Sequence, residues 1–85
     1  VSDVVFSMNE SLRGAAMEVS SKLRGAGRRV DLVLEPKKMK WVFKHAERTG
    51  AERLVMVMPA EWDSGKVRIK DLQTGEESDI EFKAL

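Results

Sequence analysis

Cysteine is absent from the 85 residues, so neither a disulfide nor a thiolate ligand or nucleophile is available to this chain. Histidine occurs once, at His45. A lone imidazole cannot complete a zinc site without further ligands, and no serine stands in a nucleophile-elbow context. His45 is therefore expected to be a packing or surface residue. No glycine-rich loop ends in Lys-Ser or Lys-Thr, and Gly25-Ala26-Gly27 has no strand before it. Those absences argue against nucleotide hydrolysis and dinucleotide binding. Long apolar runs are missing as well; none nears the roughly 20 residues a membrane span needs. Val4-Val5-Phe6 is too short for a signal peptide and lacks its basic flank. Without a secretion signal, the Asn9-Glu10-Ser11 sequon at a predicted helix start is discounted, and the expected setting is intracellular, in the cytoplasm or an organelle. There is no methionine at position 1, which leads to the expectation of a piece of a longer protein. Excess charge of one sign is lacking too: 15 basic residues face 14 acidic ones, a net +1. Only the distribution of charge can point to a partner.

What is present suits one small soluble domain over residues 1–85. Val4, Val5 and Phe6 predict a short buried strand over 3–7. Ser7-Met8-Asn9-Glu10 offers a capping box, with Asn9 a rival cap. Leu12, Ala16, Val19, Leu23 and Ala26 fall on one face of a helix over 9–26, which Gly27 is placed to stop. Val30, Leu32 and Leu34 alternate with Asp31, Val33 and Glu35, as an edge strand does. Pro36 suits the first position of a second helix, 36–49, with Met39, Phe43 and Ala46 inward and Gly50 at its end. Leu54 to Met58 is apolar at every position, the mark of a central strand covered on both faces. Lys66–Leu72 and Ser78–Phe82 alternate about a turn at Gln73-Thr74-Gly75-Glu76 and predict a hairpin. The fold class is α/β: β-α-β-α-β plus a β-hairpin, a small doubly wound domain with a mixed five-stranded sheet. Right-handed crossovers and an edge second strand give the order 2-1-3, a helix on each face and the hairpin beyond strand three. Ligands of such sheets bind beyond the carboxyl ends of the strands, here the rim of Ser7, Met8, Pro59, Ala60 and Glu61.

Charge is segregated along the chain. From Lys22 to Arg48 nine basic residues oppose three acids, leaving +6; from Asp71 to Glu81 there are five acids and no base. Lys37, Trp41, Lys44 and Arg48 follow one another at helical steps, with Lys40 beside them. A basic stripe interrupted by an aromatic suits a phosphate backbone and an unstacked base; it is equally the pattern of a solvated helix face with Trp41 in the core. Lys66, Arg68 and Lys70 are expected across from Asp79 and Glu81, where ion pairs would support the hairpin without any ligand.

Three stretches carry a resemblance. Leu23-Arg24-Gly25-Ala26-Gly27-Arg28-Arg29-Val30, the helix Pro36 to Ala51, and Glu61 to Glu77 resemble the anticodon-binding domain of class II aminoacyl-tRNA synthetases. Val67-Arg68-Ile69-Lys70-Asp71-Leu72 followed by Thr74-Gly75-Glu76 is most like the histidyl-tRNA synthetases. The Pro-Lys-Lys helix start and Glu61-Trp62 look like plant-type organellar members. The family usually has glycine where this chain has Met58, and many members continue into a C-terminal helix.

The resemblance implies tRNA as partner, with Glu61 and Lys70 reading anticodon bases from the strand-end rim. Lys37, Lys38, Lys40 and Lys44 are the expected phosphate contacts. Trp41 and Trp62 are candidate stacking platforms, each with core packing as its other use. It implies no cofactor in this domain, ATP in a separate catalytic domain, a homodimeric parent enzyme and a monomeric isolated domain. Two other classes stay open: a protein-interaction or dimerisation module of the same fold, and a flavodoxin-like small-ligand domain.

Overall fold

The computed structural model describes residues 2–7, 10–33 and 38–85, with Met39 described in its backbone alone. Five strands form one sheet: β1 (Asp3–Ser7), β2 (Val30–Val33), β3 (Arg53–Val57), β4 (Lys66–Asp71) and β5 (Glu77–Glu81). Their spatial order is β2-β1-β3-β4-β5. β1 runs parallel to β2 and β3, while β4 and β5 are antiparallel additions. β3 is thus central, as its unbroken apolar run predicts.

That run divides between two cores. Val55 and Val57 join Val5, Val67 and Ile69 under helix α1 (Arg13–Gly25), which contributes Ala16, Val19 and Leu23. Leu54 and Met56 join Val4, Phe6 and Val33 under helix α2 (Met39–Thr49), which contributes Val42 and Ala46. Each residue from Leu54 to Val57 has apolar partners on one face or the other, which is why this run alternates with nothing polar.

The helix starts differ from expectation. A 3₁₀ turn, Glu10–Leu12, precedes α1, and Leu12 at its start supplies no side-chain cap. Ser7 does not cap it, because it is the last residue of β1, paired with Val57; Met8 and Asn9 lie outside the described residues. α2 begins at Met39, three residues later than expected, because Lys38 is extended (φ −70°, ψ 149°). Pro36 lies outside the described residues. Val42, not Phe43, is the buried anchor of α2; Phe43 is half-buried at its flank.

The stop of α1 follows the expected chemistry. Gly27 has φ 86°, a left-handed conformation that costs an L-residue about 1–2 kcal/mol. The turn it makes lets Gly27 N–H donate to Arg24 O and Arg28 N–H to Leu23 O, satisfying the last helical carbonyls. A short helix α3 (Pro59–Asp63) follows β3. Met58 caps it with φ −115°, a conformation that does not need glycine.

Candidate nucleic-acid interface

The site is built where β4 and β5 extend the sheet past α2. Strand alternation sends Val67 and Ile69 to the α1 side, so Lys66, Arg68 and Lys70 face the α2 side. There they meet Glu81, Asp79 and Glu77 of β5, in that order. The cross-strand pairing is realised at Arg68, whose Nε donates to Asp79 Oδ1 at 3.1 Å. That bond, then the charges of Asp79, Glu61 and Glu77, hold the guanidinium pKa above its usual value, against a smaller opposing effect of burial. The acidic segment therefore neutralises β4 in part, rather than forming a separate negative surface. A depression of about 310 Å³ opens here, lined by Arg68, Glu77, Ser78 and Asp79.

Glu61 occupies the first turn of α3 and comes within 3.4 Å of the same Arg68, Oε1 to NH2. The carboxylate is 19% exposed, less than Arg68 at 36% or Asp79 at 39%.

Lys70 does not share the strand-end rim with Glu61, contrary to expectation. β4 runs antiparallel to β3, so its later residues travel away from the carboxyl end; Lys70 pairs with Leu54, near the start of β3. Four residues separate it from Lys66, roughly 13 Å along a strand. The two predicted readers share a face of the sheet, not an edge, with Arg68 between them. The Lys70 ammonium lies 4.9 Å from the centre of the Phe43 ring, a cation–π contact that ties β4 to the flank of α2.

The basic stripe divides about the helix axis. At 100° per residue, with Val42 and Ala46 inward, Lys40 and Lys44 project from the crest of α2. Both are exposed, as are Lys38 and Arg48; Lys37 lies outside the described residues. Trp41 is 39% exposed and stacks on His45, ring centres 4.9 Å apart and nearly parallel at 9°. His45 in turn sits 2.6 Å from Asp31 of β2, Nε2 to Oδ2. Trp41 therefore belongs to the β2 flank of α2, while Phe43 and Lys70 mark the β4 flank. A base stacked on Trp41 would be on the far side of the helix from Glu61. Trp62 is further removed. It is half-buried on the α1 side and edge-on to Phe82, at 5.5 Å and 75°. Its indole is a core element, not a platform beside Glu61.

The largest omission of the sequence reading is Asp3. It is 0% exposed and receives two bidentate guanidinium contacts. Arg28 donates Nε to Oδ2 at 2.5 Å and NH2 to Oδ1 at 3.0 Å; Arg53 donates Nε to Oδ1 at 2.8 Å and NH2 to Oδ2 at 3.1 Å. Burial alone would raise the carboxyl pKa, but the hydrogen bonds and charges of Arg53 and Arg28 outweigh it and hold the pKa below the usual value. This cluster lies at the amino end of the sheet and clamps the α1–β2 turn, β1 and β3 together. It also removes Arg28 from the positive charge available to a ligand. Among the described residues no group of three His, Asp or Glu side chains could hold a metal ion, and no helix is long and apolar enough to cross a membrane.

A sequence model of the family described as "Anticodon binding domain" matches residues 4–85. The chain belongs to that family. Among curated relatives, the chloroplastic/mitochondrial histidine–tRNA ligase of Arabidopsis thaliana is 45% identical over all 85 residues, which make up 18% of its length. The histidine–tRNA ligase of Bacillus velezensis is 32% identical over 81 residues, 95% of this chain and 19% of that one. The crystal structure of histidyl-tRNA synthetase from Nostoc sp. PCC 7120 superposes with a TM-score of 0.95 at 29% identity, covering all of this chain and 20% of that one. The chain spans about a fifth of the length of the relatives it matches. As an anticodon-binding domain of the class II synthetases, most like the histidyl enzymes, it has the mixed five-stranded sheet of the family and its helices.

Proposed function

We propose that this chain binds the anticodon stem-loop of a histidine tRNA, as one domain of a histidine–tRNA ligase. The observation that carries the reading is a juxtaposition: the exposed lysines on the crest of α2 stand beside the β4–β5 surface, where Arg68 meets Glu61 of α3. The lysines supply sequence-independent attraction to phosphates. Beside that surface Glu61 offers a carboxylate that accepts from base N–H groups, and Lys70, two residues or about 7 Å along β4 from Arg68, can donate to carbonyl oxygens. Splayed single-stranded bases present both kinds of edge. Family membership and the histidine–tRNA ligases among the relatives support the choice of tRNA. A catalytic domain outside this chain would join histidine to the tRNA with ATP, in a homodimeric parent working in the cytoplasm or an organelle; the isolated domain is proposed to be monomeric.

The test is a titration of the chain with a synthetic histidine anticodon stem-loop at two salt concentrations. Binding should weaken steeply with salt, with log K falling by about 0.7–0.9 per unit of log salt for each phosphate neutralised. No binding at low salt, or binding indifferent to salt, would instead favour a protein-interaction module of the same fold.

A further inference from the structure

We infer that Arg68 is a positioning residue for Glu61, and that Asp79 anchors it in that role. The inference rests on the proposal that Glu61 reads a base. Three observations carry it. Arg68 lies on β4 between its two acidic neighbours, one on β5 and one on α3. Its Nε is spent on Asp79 at 3.1 Å, which fixes the plane of the guanidinium. Its NH2 is then presented to Glu61 Oε1 at 3.4 Å. At that length the contact is an ion pair and not a short charge-assisted hydrogen bond, which would measure about 2.7–2.9 Å. Arg68 thus orients the carboxylate without saturating it, and acceptor capacity on Glu61 remains for the N–H groups of a base.

The arrangement exploits what distinguishes arginine from lysine. A planar fork can hold one acid with Nε and address a second with NH2. An ammonium at the same place would keep the charge but could not fix both partners in one plane. A glutamate left to itself in the first turn of a five-residue helix samples several rotamers, and ordering it on binding costs conformational entropy. Arg68 removes that cost before the RNA arrives, so its effect is on discrimination more than on total attraction.

The test measures dissociation constants of the 85-residue chain for two synthetic stem-loops, one with the histidine anticodon GUG and one with a single anticodon base changed. Four proteins are compared with the parent: Glu61→Gln, Arg68→Lys, Asp79→Asn and the double variant Glu61→Gln/Arg68→Lys. Glu61→Gln should lower the ratio of the two constants roughly tenfold. Arg68→Lys should reproduce most of that loss in ratio while keeping the salt dependence of the parent. Asp79→Asn should lie between the parent and Arg68→Lys, and the double variant should fall no further than Glu61→Gln alone. Melting temperatures of the single variants should stay within a few degrees of the parent, which separates positioning from support of the hairpin. If Glu61→Gln lowers the ratio and Arg68→Lys does not, the positioning role is overturned while the reading of Glu61 stands. If the double variant shows additive losses, Arg68 contacts RNA by itself and the inference is overturned. If Glu61→Gln leaves the ratio unchanged, the reading of Glu61 fails first, and the inference falls with it.

Discussion

Asp3→Ala is the perturbation with the largest expected effect on this fold. The carboxylate is fully buried and takes four N–H donors from Arg28 and Arg53. Removing it leaves two guanidiniums facing each other across β1 with no counter-charge. Breaking a buried ion pair by deleting one partner costs about 3–5 kcal/mol. Here both arginines keep about a quarter to a third of their exposure, so water recovers part of the loss, and Glu52 at 3.4 Å remains beside Arg28. The expectation is therefore the lower figure, about 3 kcal/mol, a fall in Tm of roughly 12–24 °C for a domain of this size. Urea unfolding followed by the fluorescence of half-buried Trp62 measures it. A companion measurement is pH. Because the folded carboxyl titrates below its unfolded value of 3.8, its contribution is complete above that value. It is lost as pH falls through the lower folded one. The parent should lose stability steeply below pH 4, and Asp3→Asn should show a flatter acid limb. Replacing Asp3, Arg28 and Arg53 together by apolar residues of similar volume should cost far less than Asp3→Ala alone. A loss under about 1 kcal/mol for Asp3→Ala, or an unchanged acid limb in Asp3→Asn, would refute the account of the cluster as a closed buried clamp.

Three further outcomes are expected. Lys40→Ala with Lys44→Ala should weaken binding to matched and mismatched stem-loops alike and lower the salt slope by about two phosphate equivalents, read from the same titrations. His45→Ala should cost about 1–2 kcal/mol of stability by urea melt, because it removes the Asp31 contact that fastens α2 to β2 and the Trp41 stack along α2 itself. Gly27→Ala should cost about 1–2 kcal/mol of stability, since nothing lies within 4 Å of the added methyl and the penalty is that of the left-handed backbone alone; Gly27→Asn should recover part of it.

Much of the architecture was legible without coordinates because it rests on short-range patterns. The apolar run at Leu54–Met58 predicts a strand covered on both faces, and the strand over Arg53–Val57 duly lies at the centre of the sheet. Alternation in β4 and β5 set the pairing of Lys66, Arg68 and Lys70 with acids, and Gly27 marked a helix end that no other residue enters as cheaply. Glu61 could be placed after β3 because Pro59 ends the strand there. Tertiary structure decided what depends on distance along the chain. Asp3 reads in sequence as a polar flank of a hydrophobic strand; its partners lie 25 and 50 residues away, and only the parallel pairing of β1 with β3 and the turn after α1 bring them onto one carboxylate. Lys70 was placed beside Glu61 by the family resemblance, whereas the antiparallel course of β4 carries it to the other end of the sheet. The two tryptophans are alike in composition but part company in space. The rotation of α2 over its Val42 anchor sends Trp41 toward β2, and the packing of Phe82 against α3 draws Trp62 into the α1 core. Such choices belong to packing, because an indole buries its area wherever the assembled elements leave room for it.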